Sequence, residues 1–332
     1  MVHTKADRLS PWALIKEFVH LRRFAFTVFL PLMGAGTAAG EATLTHLLII
    51  VVVALQFHIF TYVLNDVVDL PVDRLMPKRA RHPLVRGEVS SSAALTSALL
   101  QVPLLLGTAW LTQRSLQAVL ALVVALICMA IYDLWGKRNP FPPLTDLVQA
   151  LSWGSLTLYG GWAAGGPTLL TFLLAAIFVV FILLMNGVFE GVIDIEEDSA
   201  AGLKTTAMTF GVRPGGTGEL PFLPVSLLVY CIVLEAILSA LNLLPLLRND
   251  FGYGVNLRTG ILIAVLILNA VIIWLSVRFI LPSKAHRKPI RDSHIDLMSA
   301  ISIVILLVSY VPYLQPQFTV LILVSTILPL IL

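Results

Sequence analysis

Nine apolar runs limit what this chain can fold into. They lie at roughly 24–41, 43–65, 92–112, 114–133, 145–164, 168–190, 222–246, 257–281 and 295–314. A helix needs about 20 apolar residues to cross the ~30 Å hydrocarbon core of a bilayer, where every backbone group must find its partner inside the helix. Only 12% of the residues are charged and mean hydropathy is +0.91. An average soluble domain carries about twice that share of charge. The expected fold class is therefore an all-α polytopic membrane protein of about nine spanning helices, one domain over residues 1–332. Residues 1–23 carry no signal-peptide pattern and read as an interfacial segment, with Trp12 and Phe18 on one side of a short helix and Lys16 and Arg22 on the other. Residues 318–332 read as a short apolar C-terminal segment.

The placement of charge tests this count. With nine spans and the N-terminus in the cytosol, 19 of the 22 Lys and Arg residues fall in cytosolic segments, leaving Arg114, Arg248 and Arg258 on the far side. That is the bias the positive-inside rule requires. It predicts a multi-pass protein with a polar cap on the cytosolic side, in the endoplasmic reticulum or another internal membrane. A net charge of +3 is too small to point to nucleic acid. Cys128 and Cys231 lie inside apolar runs and read as small core residues.

The carboxylates gather in two short windows, each after a predicted span on the same side. Asp66, Asp69 and Asp73 fall in 65–73; Glu190, Asp194, Glu196, Glu197 and Asp198 fall in 190–198. Asn65, Asp69 and Asp73 are spaced four apart, as are Asp194 and Asp198, so each set forms a stripe on a helix. Pro71 is expected to kink or end the first helix. Aligned carboxylates repel unless a cation lies between them. Mg²⁺ takes oxygen donors, keeps few protein ligands and completes its shell with phosphate. Lys78, Arg79, Lys137, Arg138 and Lys204 stand near enough in sequence to hold further phosphate charge. A charged head at the cap and a greasy tail in the membrane describe a polyisoprenyl diphosphate.

The pattern Asn65-Asp66-x-x-Asp69-x-x-x-Asp73, with "DIEED" at 194–198, resembles the UbiA superfamily of intramembrane prenyltransferases. So do "PLVRGEVS" after the first motif, "IYDLWGKR" ending the fourth run and "GLKTTAMTFG" after the second motif. The resemblance covers nearly the whole chain and implies a UbiA-like helical bundle. It also implies that Asn65, Asp69, Asp73, Asp194 and Asp198 bind Mg²⁺ and diphosphate. Lys137 and Lys204 match family residues that hold the diphosphate, Tyr132 matches a tyrosine near the ionising carbon, and Arg22 or Arg23 falls where the family has an arginine before the first span. One departure is plain. Where family members read Arg-Pro-Leu after the first motif, this chain has His82-Pro83-Leu84, which moves the arginine's task to Arg81 or Arg79.

The chemistry so implied is ionisation of an allylic diphosphate in a chamber closed to water. Aromatic faces there would stabilise the cation, the candidates being Phe57, Tyr62, Tyr132, Trp153, Tyr159, Trp162, Phe181 and Phe189. What captures the cation is open. The overall likeness points first to the superfamily's membrane sesquiterpene cyclases, with farnesyl diphosphate as substrate. The alternative is transfer to an aromatic or quinone-precursor acceptor. A transporter is a third class, which the intramembrane Glu235 would suit, but transporter sites lie near the midplane rather than at one face.

Overall fold

The computed structural model describes residues 10–76, 79–136, 139–215, 221–248, 255–280, 288–310, 314, 318 and 320–322. The first helix, α1, is the amphipathic Pro11–Phe18, started by Pro11 and by the Ser10 hydroxyl, which accepts from the Ala13 amide at 3.2 Å. It buries none of its residues, and Trp12 and Ile15 face outward. After a 3₁₀ turn at Leu21–Arg23 the chain enters α2, Phe24–Gly36, bent by 50° from α1. Nearly all of α2 is buried.

Helix α3, Leu44–Asp73, opens on a capping box between Thr43 and His46. It carries the first acidic motif in its last turns. Pro71 does not end it at that point: α3 takes the proline into its final turn and stops two residues later, with the Arg74 amide bonding to Leu70 at 3.1 Å. Then come α4, Ser91–Gln113, and α5, Leu116–Trp135. Helix α6 is Pro142–Ala163 and α7 is Leu169–Leu184, which widens into a π-helical turn at Met185–Glu190. The second acidic motif occupies α8, Gly191–Ile193, and α9, Ile195–Ala200, followed by α10, Thr206–Thr209. Helices α11, Val225–Leu247, α12, Val255–Ile280, and α13, Lys288–Tyr310, complete the described bundle. No strand longer than the isolated Arg213–Phe222 bridge occurs among the described residues.

All nine apolar runs carry a helix, but fewer than nine of these helices would cross a membrane on length and composition alone. Among the described residues six do, and the bent α1–α2 pair makes a seventh. Helix α13 contributes only the short apolar stretch Ala300–Tyr310. Helix α6 falls short for a different reason. It is the central helix, packed by α2, α5 and α7, and its contact faces use Ser152, Gly154, Thr157, Gly160 and Gly161 in place of large apolar side chains. Small residues let helices approach closely where lipid supplies no hydrophobic drive. Leu95, Leu99, Leu120, Ile127, Val229 and Ile263, by contrast, face outward as a lipid-facing belt.

The α2–α6 crossing is the tightest contact. A Cβ built on Gly160 would stand 1.9 Å from the Pro31 carbonyl oxygen, and one on Gly34 would stand 1.9 Å from the Thr157 carbonyl oxygen. Backbone meets backbone in both directions, so neither position admits a side chain. Gly160→Ala is expected to force the helices apart and lower stability by about 1–3 kcal/mol or more. Gly107→Ala on α4, where nothing lies within 4 Å, is the control and should be neutral or mildly stabilising. Thermal midpoints in detergent compare the two.

Candidate functional site

The end of the bundle where α3, α5 and α7 finish and α2 and α6 begin gathers the acidic residues. Asp66, Asp69 and Asp73 are buried, 1%, 7% and 4% exposed. Three carboxylates on one helix, removed from water, demand partners. Stripping the partner from a buried ion costs about 3–5 kcal/mol.

Asp66 shows how the demand is met. His20 Nε2 lies 2.6 Å from its Oδ2 and His82 Nε2 lies 3.2 Å from the same oxygen. Arg79 approaches the other oxygen at 3.8 Å and reaches Asp73 Oδ1 at 3.5 Å. Of the two arginines expected to replace the missing Arg-Pro-Leu arginine, Arg79 is therefore the one at the motif, and Arg81 is exposed. Arg22 and Arg23 are both exposed, and of the two Arg23 sits over the Tyr62 ring, 5.6 Å from its centroid.

His20 gets there through the bend. Its φ of 49° is left-handed, an uncommon state for a residue with a side chain. His58, fully buried on α3, holds the turn: its Nε2 stands 2.8 Å from the Val19 carbonyl and 3.3 Å from that of His20, and its Nδ1 pairs with Thr27 Oγ1 at 2.8 Å. The spacing of the acidic motifs marks neither His20 nor His58 as a site residue, and it gives Asp66 a place in the cluster without a task.

Asn65 donates from Nδ2 to Asp133 Oδ1 at 3.1 Å, which leaves its amide oxygen, a cation-type donor atom, without that duty. Asp133 is buried on α5 beside Tyr132. The Tyr132 hydroxyl lies within electrostatic reach of Asp69, Asp133, Asp146 and Asp198, residues that include one from each motif. Asp146, on α6, accepts from Thr206 of α10 at 2.5 Å. Gly187 of the π turn fits beside this pair, because an added Cβ would lie 3.1 Å from Asp146 Oδ2. Asn186 of the same turn bonds to Gln149 of α6. The π turn thus seats the start of the second motif against α6. An acid inside an apolar run is itself a signal, and on that ground Asp146 was detectable from the sequence.

The rest of the second motif is set by its caps. Asp194 caps α9 and its carbonyl accepts the Asp198 amide at 2.8 Å. At the other end Gly202 takes φ 69°, and the Leu203 amide returns to the Asp198 carbonyl at 2.9 Å, a Schellman closure that requires glycine there. Asp194 and Asp198 are half-buried and Lys204 is exposed. Lys137 lies outside the described residues, as do Lys78 and Arg138.

Deeper in the bundle, Phe26, Phe57, Trp153 and Phe181 meet edge-on or tilted with centroids 5.3–6.4 Å apart. Phe189 packs instead on Phe279. Tyr159 bonds through its hydroxyl to Gln113 at 2.9 Å and, with Trp162, stands toward the opposite end.

A family model described as the UbiA prenyltransferase family matches residues 26–291. The chain belongs to the UbiA prenyltransferase family. Two UbiA relatives illustrate its spread. Digeranylgeranylglyceryl phosphate synthase of Thermococcus sibiricus is 30% identical over 184 residues, covering 55% of this chain and 63% of that protein. Protoheme IX farnesyltransferase of Mycobacterium tuberculosis is 30% identical over 118 residues, 36% of this chain and 37% of that protein. The chain thus spans less than two thirds of each of these relatives. Among solved structures, a UbiA homolog from Aeropyrum pernix K1 superposes with TM-score 0.64 at 19% identity, covering 89% of this chain and 99% of that one. A UbiA homolog from Archaeoglobus fulgidus bound to GPP and Mg²⁺ gives 0.64 at 20% identity, covering 89% and 98%. These two likenesses concern the fold.

The His58 clasp yields a direct expectation. His58→Ala removes its bonds to Thr27 and to the turn, leaves a cavity, and should lower stability by about 1–3 kcal/mol. Proteolysis should then cut first near Val19–Leu21, and an unchanged cleavage pattern would show that the bend holds without it.

Proposed function

We propose that this chain is an intramembrane prenyltransferase. It ionises a prenyl diphosphate at the acidic end and passes the prenyl group to an acceptor, releasing diphosphate. The observation that carries the reading is the gathering of the buried Asp66, Asp69 and Asp73 with Arg79 at one end of a bundle of apolar helices.

The donor set suits Mg²⁺. Asn65 Oδ1, Asp69, Asp73, Asp194 and Asp198 all offer oxygen, the atom type this ion prefers. When bound, Mg²⁺ supplies the positive charge that stabilises the departing diphosphate. The protein's own residues do the rest. Arg79, held by Asp66 and Asp73, and Arg23, held over Tyr62, present guanidinium groups to phosphate oxygens, with Lys137 and Lys204 as further candidates. Tyr132 would stand by the ionising carbon, and its phenol ring offers a face to the cation. The Phe26, Phe57, Trp153 and Phe181 cluster would wall the prenyl chain from water. On the charge bias of the loops we place this end at the cytosol.

Transfer is favoured over the cyclisation to which the overall likeness of the sequence points. The relatives are named as a farnesyltransferase acting on protoheme IX and as a synthase of a prenylated glyceryl phosphate. Both names describe joining a prenyl chain to a second molecule. The acceptor class therefore widens from aromatic rings to include a glyceryl phosphate.

Two results are expected. Asp69→Ala, Asp73→Ala, Asp194→Ala and Asp198→Ala should each remove turnover from protein that still inserts, and EDTA should stop the wild-type reaction until Mg²⁺ is restored. Full activity in EDTA would overturn the metal role. Incubating the purified protein with farnesyl or geranylgeranyl diphosphate and Mg²⁺ but no acceptor should give no cyclic hydrocarbon by gas chromatography–mass spectrometry. Diphosphate release should then rise when aromatic or glyceryl phosphate acceptors are added. A cyclic product without acceptor, absent in Asp69→Ala, would establish a cyclase instead.

A further inference from the structure

We infer that His20, Asp66 and His82 form a second metal site, distinct from the Asn65, Asp69, Asp73, Asp194 and Asp198 set though Asp66 lies within the first motif, and selective for a divalent transition cation of the Zn²⁺ kind. One ligand atom from each of the three residues lies within 4.8 Å of the other two. Two imidazoles and one carboxylate are a donor set that Zn²⁺ and its neighbours in the first transition row accept and Mg²⁺ does not favour.

Three observations go beyond simple proximity. His82 is 6% exposed, its Nδ1 makes no hydrogen bond, and its Nε2 faces the Asp66 carboxylate, 3.2 Å from Oδ2. A cation held jointly with Asp66 would take the Nε2 lone pair of a neutral, buried imidazole in place of that ion pair. His20 and His82 stack at 5.5 Å, with both Nε2 atoms directed at the same carboxylate oxygen. Finally, His20 reaches this point only because its backbone adopts φ 49°, kept there by His58. Non-glycine residues in such a state cluster at ligand clamps. Arg79 does not compete for the shared atom, because it approaches the other oxygen of Asp66 at 3.8 Å.

The three ligands come from three segments: the bend before α2, the end of α3, and the loop that leads to α4. An ion there ties these segments together one residue from Asn65. With three protein ligands it retains an open position for water or an anionic oxygen. It would also place positive charge where the family's Arg-Pro-Leu arginine is replaced by His82.

The site is independent of the prenyl-transfer reading, and its test needs no substrate. Untagged protein in detergent is stripped with chelator, then dialysed against limiting Zn²⁺ in excess Mg²⁺, and its metal is measured by mass spectrometry. The wild type should retain stoichiometric Zn²⁺, and Asp69→Ala should retain it equally. His20→Ala and His82→Ala should each weaken retention by more than about 100-fold, beyond the 10–100-fold typical of a lost outer-shell partner. His82→Cys keeps a ligand at that position, so Co²⁺ should bind and show thiolate-to-metal charge transfer, a signature that a misfolded or merely structural site would not give. Wild type that holds no Zn²⁺ above the Mg²⁺ background would overturn the assignment. So would histidine variants that retain it, or loss confined to Asp69→Ala.

Discussion

A carboxylate withdrawn from water must be given another partner, and the acidic end of this bundle is organised around that requirement. Asp66, Asp69 and Asp73 are all buried on α3. No lipid can solvate them, and each added negative charge raises the cost of the next. Arg79 bridges Asp66 and Asp73, and two histidines converge on Asp66 from opposite directions in the sequence. Asp69 of the first motif and Asp198 of the second both bear electrostatically on the Tyr132 hydroxyl. That arrangement repels itself unless cations enter it. A site so built is poised for a metal ion and an anionic ligand together.

The scaffold beneath explains how such a charge cluster is held still. Gly34 and Gly160 bring α2 and α6 into backbone contact, and α6 in turn carries Asp146, Gln149 and the aromatic Trp153. The π turn after α7 seats against α6 through Asn186 and Gly187. A helix widened by one residue per turn rotates the segment beyond it, and this re-aims the second motif relative to an uninterrupted helix. At the other side His58 pins the bend that delivers His20 and Arg23. His58, Gln149 and Asn186, polar residues inside the apolar spans, are thus fasteners for the acidic end.

Much of the site was legible in the sequence. The four-residue spacing of Asn65, Asp69 and Asp73, and of Asp194 and Asp198, marks carboxylates sharing a helix face, and this holds wherever a helix forms. The substitution of His82 in the Arg-Pro-Leu segment was visible as a departure, and of Arg79 and Arg81 it is Arg79 that pairs with the acidic motif. Asp133 and Asp146 were missed although an acid in an apolar run is a signal in its own right. His20 could not have been found by any local rule. Its role depends on a left-handed residue and a 50° bend, both of which come from contacts 38 and 46 residues away.

By itself the sequence determined that this chain is a bundle of apolar helices with its acid at one end. Run length and charge bias are local quantities, and the bilayer's physics acts on each run separately. The number of helices that suffice alone as spans was not local. Helix α6 packs against α2, α5 and α7 through small residues and keeps only a narrow apolar face outward, at Leu144, Leu147 and Leu151. Which cation meets which carboxylate was decided only by tertiary structure. That choice depends on how closely glycines let helices approach and on where a bend turns the chain, and pairing energies in a low-dielectric site change steeply over such distances.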